Sequence, residues 1–137
     1  MKYFNDYVEK AQTALFDEMG AFFAFSKAQF DEQKKPGVIY VNAGAGLLCP
    51  QENVKPLFDR FEAIIAEGVK LDIAENGAEA IIEREYFNHE TQLMIDKQPA
   101  LDAISAHREQ RPDLFTDEVI KRVFADCYKK AIENNWF

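Results

Sequence analysis

The fold is decided by a short segment of β character between helical patterns, residues 38–49, with the sequence VIYVNAGAGLLC. Residues 38–41 are β-branched and aromatic, which fits a strand with one buried face. Residues 42–45 are rich in turn formers, and residues 46–49 form a weaker second strand. The segment therefore predicts an antiparallel hairpin.

A third strand is predicted at residues 21–25, AFFAF, which is short, aromatic and bounded by Gly20 and Ser26. Together with strands at 38–42 and 46–49 it makes a sheet of about three strands, close to the smallest stable size when a helix covers one face. The predicted fold class is α+β, a small antiparallel sheet packed against a largely helical remainder. The length of 137 residues predicts a single domain over residues 1–137.

The rest of the chain shows apolar residues at the three-and-four spacing of helices. Ser26 and Thr116 are predicted N-caps, and Gly68 is expected to interrupt the helical pattern. Gly77 is a weak point inside a helix. The predicted helices cover residues 3–19, 26–33, 54–68, 70–89, 98–104 and 116–132.

Charge is unevenly distributed along the sequence. The chain has 24 acidic and 16 basic residues, a formal charge of −8, and residues 59–90 alone hold nine acids against three bases. No basic stripe is present, which disfavours direct binding of nucleic-acid phosphates. The longest uncharged stretch, residues 36–51, is too short and too rich in glycine to cross a membrane, so no membrane partner is predicted.

Four carboxylates within the acidic segment have helical spacing. Asp72, Glu75, Glu79 and Glu83 follow one another by three, four and four residues, which predicts an exposed acidic ridge. Leu71, Ala74, Ala78 and Ile81 would face inward. The ridge either docks onto the basic surface of a partner protein or is a solvated face that serves solubility.

A second candidate site combines Gly44 and Gly46 with Cys49 and His89 as the site of a small hydrolase or transferase. The glycine loop lacks the third glycine and the Lys-Ser/Thr pair of a phosphate-binding loop. Residues 72–83 match a calcium loop only in part, and helix is the preferred interpretation. No catalytic motif is complete, so we expect a protein that is not an enzyme and has no metal or cofactor.

Three motifs resemble a family of small uncharacterised proteins carried by bacteriophages and bacterial mobile elements. They are FAFSxxQF at residues 23–30, YxxAGAG at 40–46 and YFNHE at 86–90. The resemblance covers most of the first ninety residues. Its glycine loop usually ends in a Gly-Gly pair where this chain has Gly46-Leu47, and the helices after residue 91 have no counterpart in it.

The resemblance implies a setting rather than an activity, that of an accessory protein which binds a host or phage macromolecule. With the charge pattern, it leads us to expect a non-enzymatic protein whose acidic ridge binds a protein with a basic surface. The N-terminus has no apolar leader, which predicts the cytoplasm of a bacterial host cell. The sequence leaves self-association open.

Overall fold

A computed structural model describes residues 1–137 and has three short strands, seven α-helices and two 3₁₀ turns. The elements are α1 Asn5–Met19, β1 Phe22–Phe23, α2 Lys27–Gln33, β2 Tyr40–Asn42, β3 Leu47–Pro50, a turn Gln51–Asn53, α3 Val54–Asn76, α4 Ala78–Asn88, a turn Thr91–Leu93, α5 Gln98–Ala103, α6 Ser105–Gln110 and α7 Asp117–Glu133.

The three strands form one antiparallel sheet in the order β1-β3-β2, with Phe22 opposite Leu48 and Val41 opposite Cys49. The α+β class and the small sheet are therefore confirmed. The strands are shorter than predicted. Residues 38 and 39 lie outside β2 because Gly37 has a φ of 75° and the backbone turns there.

The hairpin turn explains the glycine loop of the sequence. The Asn42 Oδ1 accepts a hydrogen bond from the backbone amide of Gly44 at 2.8 Å, and the Leu47 amide donates to the Gly44 carbonyl at 2.9 Å. Gly46 has a φ of 83°, and a Cβ there would lie 2.5 Å from the Phe25 ring. The turn thus needs a glycine for backbone geometry and for close packing of an aromatic ring.

The chain divides into two compact units. The sheet unit comprises residues 8–65, and the helical unit comprises residues 1–7 and 66–137. In the sheet unit the core consists of Leu15, Ala21, Cys49 and Leu57. In the helical unit α4 packs along α7, where the Tyr86 and Phe124 rings lie 5.2 Å apart between their centres.

The prediction of one helix over residues 70–89 was wrong, and so was the interruption at Gly68. Helix α3 runs through Gly68 to Asn76 because a single glycine lowers the stability of a long helix by only about 1 kcal/mol. Gly77 has φ 77° and ψ 162°, a conformation close to glycine-only, and separates α3 from α4.

Ile81 is fully buried as predicted, but the inward face of the α3 part of this region was predicted incorrectly. Leu71 is 47% exposed and Ala74 is exposed, whereas Asp72 is fully buried. The sequence pattern placed every charged side chain outside.

Candidate functional site

The four predicted ridge carboxylates do not form one exposed row. Asp72 and Glu75 lie on α3, Glu79 and Glu83 lie on α4, and the break at Gly77 separates the two pairs. Asp72 is 0% exposed, while Glu75 and Glu79 are on the surface and Glu83 is half-buried.

Asp72 is the centre of a buried ion cluster, which we define as Asp72, Arg84, Glu85 and His107. The Arg84 guanidinium donates to both oxygens of Asp72 at 2.9 Å, and Nε2 of His107 lies 2.8 Å from Oδ2. Nδ2 of Asn76 donates to Oδ1 at 2.8 Å. Nε of Arg84 donates to Glu85 at 2.8 Å, so the guanidinium lies between two carboxylates.

Burial alone would raise the pKa of Asp72, because it removes water from the charged form. The hydrogen bonds from His107, Arg84 and Asn76, together with the positive charge of Arg84, outweigh burial and hold the pKa well below its usual value. Burial would likewise lower the pKa of Arg84, and the two carboxylates raise it instead. Asp72 and Arg84 are therefore ionised at neutral pH.

The Asp72–His107 pair has the contact of an acid–base dyad but lacks access to a substrate. His107 is 1% exposed, its ring packs against Phe4 and Phe115, and Nδ1 has no protein partner. No Ser, Thr or Cys side chain forms a hydrogen bond with the ring. The cluster instead ties α3 to α4 and α6, a structural role.

The sequence reasoning missed Arg84 and His107. Their partner Asp72 lies 12 and 35 residues away along the chain, so no local pattern connects them. Helical spacing could have indicated that Asp72 is buried. Asp72 follows the buried Val69 by three residues, so both lie on one helix face, and it directly precedes the buried Ile73.

The other ridge carboxylates have partners within the helical unit. Glu79 forms an ion pair with Arg122, and Glu83 accepts a hydrogen bond from Lys130 Nζ at 2.8 Å, so both connect α4 to α7. Glu75 accepts from the Tyr7 hydroxyl at 2.8 Å. A basic partner at this surface would compete with Arg122 and Lys130.

The residues of the alternative site lie in different units, with Gly44, Gly46 and Cys49 in the sheet unit and His89 in the helical unit. Cys49 is 0% exposed, its thiol lies 3.4 Å from the Pro50 carbonyl, and burial raises its pKa. A reactive thiol needs a lowered pKa and solvent access, and Cys49 has neither. His89 caps α4, with Nε2 3.5 Å from Glu85.

We expect neither cysteine to react with iodoacetamide in the native protein at neutral pH. Cys127 is also buried, and burial raises its pKa to about 12. Mass spectrometry after a short exposure should show an unmodified chain, and the same exposure in denaturant should modify both thiols. A thiol that reacts in the native protein would contradict this account of the site.

The helical unit has a groove of about 630 Å³ on its surface. Tyr86, Ile120 and Phe124 are its buried apolar floor. Residues of one face of α7 form one wall, and the Thr91–Leu93 turn with α5 and α6 completes the lining. That face of α7 presents Asp117, Ile120, Lys121, Phe124, Ala125 and Tyr128.

Three cations surround this apolar floor, and we call the site the basic groove. Arg108 donates to Asp117 at 2.6 Å, whereas Lys97 and Lys121 are exposed and form no ion pair. The helical unit around them has 16 acidic and 10 basic residues, a formal charge of −6. The groove thus concentrates positive charge on an otherwise acidic unit.

Exposed apolar side chains continue the groove beyond its rim. On one side the end of the 3₁₀ turn and the loop after it expose Leu93, Met94 and Ile95. On the other side α7 exposes Tyr128. The Phe137 ring lies 6.0 Å from the Tyr128 ring, and Gln92 Nε2 donates to the Trp136 carbonyl at 3.2 Å. The further exposed residues at this end are Ile132, Trp136 and Phe137.

No group of three or more His, Cys, Asp and Glu side chains is arranged to hold a metal ion. None of the helices combines the length and the apolar character needed to cross a membrane.

Comparison with other proteins gives one result. No curated protein and no solved structure matches the chain. The match to a family model runs from residue 4, at the start of the helical unit, through the sheet unit and into α7. Over residues 4–130 the sequence fits the model of a family of unknown function, DUF7659, and the chain belongs to that family.

Proposed function

We propose that the protein is a non-enzymatic accessory protein of a bacteriophage or bacterial mobile element, and that it binds a partner protein through the basic groove. The sequence led us to expect a binding role for the acidic ridge. We keep the binding role and assign it to the basic groove, a surface of opposite charge. The partner would carry apolar side chains flanked by acidic ones, and the encounter would take place in the bacterial cytoplasm.

One observation carries this proposal: an apolar floor of Tyr86, Ile120 and Phe124 lies beside two lysines that have no carboxylate of their own. A concave apolar surface of several hundred Å³ with a few polar groups at its edge is the usual form of a binding site. Exposed lysines without partners attract acidic groups and raise the rate of association with them.

The other groups that could carry chemistry support binding over catalysis. His107 is buried against Asp72, and the thiols of Cys49 and Cys127 are buried with raised pKa values. The ridge residues Glu79 and Glu83 are engaged by cations of α7. The basic groove combines an apolar floor with two lysines, Lys97 and Lys121, that form no ion pair.

We expect anilinonaphthalene sulfonate, an anionic aromatic dye, to bind the groove with a gain in fluorescence. Lys121→Glu should weaken this binding about fivefold or more, because attraction becomes repulsion beside the apolar floor. Dye fluorescence titrated at low and at physiological salt measures the effect, which screening should reduce.

The matched control is Lys129→Glu, the same change on the same helix at an exposed lysine that does not line the groove and forms no ion pair. It changes the net charge equally and should leave dye affinity within about twofold. Equal losses in the two variants would mean that the dye senses only the net charge, and the proposal would fail.

A further inference from the structure

We infer that the occupant of the basic groove is an amphipathic α-helix with acidic flanks, lying along α7. This inference rests on the proposed function and adds the conformation and the charge pattern of the partner segment.

The lining face of α7 has the spacing of a helix-packing surface. Asp117, Ile120, Lys121, Phe124, Ala125 and Tyr128 follow at three, one, three, one and three residues, so they form a continuous ridge along one side of the helix. Such ridges pack into the grooves of a second helix. The helical unit contains no strand, so it offers no sheet edge to an extended peptide.

The length of the apolar surface favours a helix over a small molecule. From Asp117 to Tyr128 the face spans about 17 Å at 1.5 Å per residue, and with Ile132 it spans about 22 Å. A helix of three to four turns matches this length. A small amphipathic anion would fill the 630 Å³ groove and leave Ile132 and Phe137 exposed.

The charges around the groove define the flanks of the partner helix. Lys97 at the start of α5 and Lys121 on α7 are both exposed and unpaired. A helix with leucines at three-and-four spacing toward Ile120 and Phe124, and with glutamates beside them, would bury its apolar stripe and meet both lysines. This is the helix-in-groove mode, with apolar anchors at i, i+3 or i+4, and i+7.

The test uses a synthetic 15-residue peptide with blocked ends, leucines at heptad a and d positions and glutamates beside them. A scrambled peptide of the same composition and a peptide with lysine in place of glutamate are the peptide controls. None of the three peptides contains tryptophan, so the fluorescence of Trp136 reports on the protein alone. The Trp136 carbonyl accepts a hydrogen bond from the groove residue Gln92. Anisotropy of a labelled peptide gives the affinity.

We expect the glutamate peptide to bind at least about tenfold more tightly than either control peptide. Lys97→Glu and Lys121→Glu should each weaken it about fivefold to tenfold, and Lys129→Glu by less than twofold. Far-UV circular dichroism of the mixture should show added helix. Each substituted lysine is exposed on the surface, so each variant alone should give the same far-UV circular dichroism spectrum as the parent protein.

Other outcomes overturn the inference in distinguishable ways. Equal binding of the scrambled peptide would show that the occupant need not be an amphipathic helix. Tighter binding of the lysine peptide would show that the groove prefers basic flanks to acidic ones. Dye binding without peptide binding would leave the groove as a site and refute its helical occupant. A parent protein that is dimeric by sedimentation, and monomeric with Lys121→Glu, would identify a second copy as the occupant and refute the inference.

Discussion

Replacing Asp72 by Asn is expected to lower the free energy of unfolding by about 3–5 kcal/mol, a large part of the stability of a chain this size. Asp72 is 0% exposed and accepts hydrogen bonds from Arg84 and Asn76 besides contacting His107. An amide removes the negative charge and aims its own N–H groups at these donors. Urea unfolding followed by circular dichroism at pH 7 measures the change.

The control for this prediction is Asp126→Asn, the same chemical change at an exposed carboxylate of α7 that forms no ion pair. It should alter the unfolding free energy by no more than about 0.5 kcal/mol. A loss below about 1 kcal/mol for Asp72→Asn would contradict the buried ion cluster as a source of stability.

The second large effect is expected for Arg84→Met, which removes the cation between Asp72 and Glu85. Both carboxylates are buried, so each would be left without its guanidinium partner. A loss of about 3–5 kcal/mol is expected at pH 7. Methionine fills similar apolar volume, so the loss of charge rather than a cavity accounts for the effect.

The pH dependence separates this variant from the parent. In the parent the folded pKa of Asp72 lies below its unfolded value near 3.9, so its contribution is present above about pH 4 and is lost on further acidification. In Arg84→Met the guanidinium no longer offsets the burial of Asp72, so its carboxyl takes up a proton more readily and stability should rise as pH falls from 7 toward 5. Parallel slopes for both proteins in urea unfolding would contradict this assignment.

Local sequence rules accounted for much of the fold. Ser26 and Thr116 cap their helices as predicted, with hydroxyl oxygens accepting from the amides of Gln29 and Val119 at 3.2 Å. Turn residues and β-branched residues located the hairpin, and apolar spacing located α1 and α7. These features depend on neighbours within a few residues, which the sequence displays directly.

The candidate site depended on contacts that the sequence does not display. Asp72 is charged, and a periodicity rule places a charge outside unless a distant partner neutralises it. Its partners Arg84 and His107 come from α4 and α6, and the positive φ of Gly77 redirects the chain between α3 and α4. The basic groove arises in the same way, since its walls come from separate helices and turns.

The acidic ridge illustrates the consequence for function. Helical spacing predicted four carboxylates on one face, and the structure uses Glu79 and Glu83 to connect α4 to α7. These two carboxylates, which the sequence pattern left free for a partner protein, are thus paired with cations of the same chain. Within the basic groove Lys97 and Lys121 form no ion pair, although the total charge of the helical unit is negative.

Amide chemical-shift mapping of the ¹⁵N-labelled protein with the glutamate-flanked helical peptide tests the central claim most directly. The account predicts shifts concentrated at residues 91–97 and 117–128, around Lys97 and Lys121, with little change at Glu79, Glu83 or in the sheet unit. Shifts centred on α4 at Glu79 and Glu83, or no shifts at millimolar peptide, would contradict the assignment of the basic groove as the binding surface.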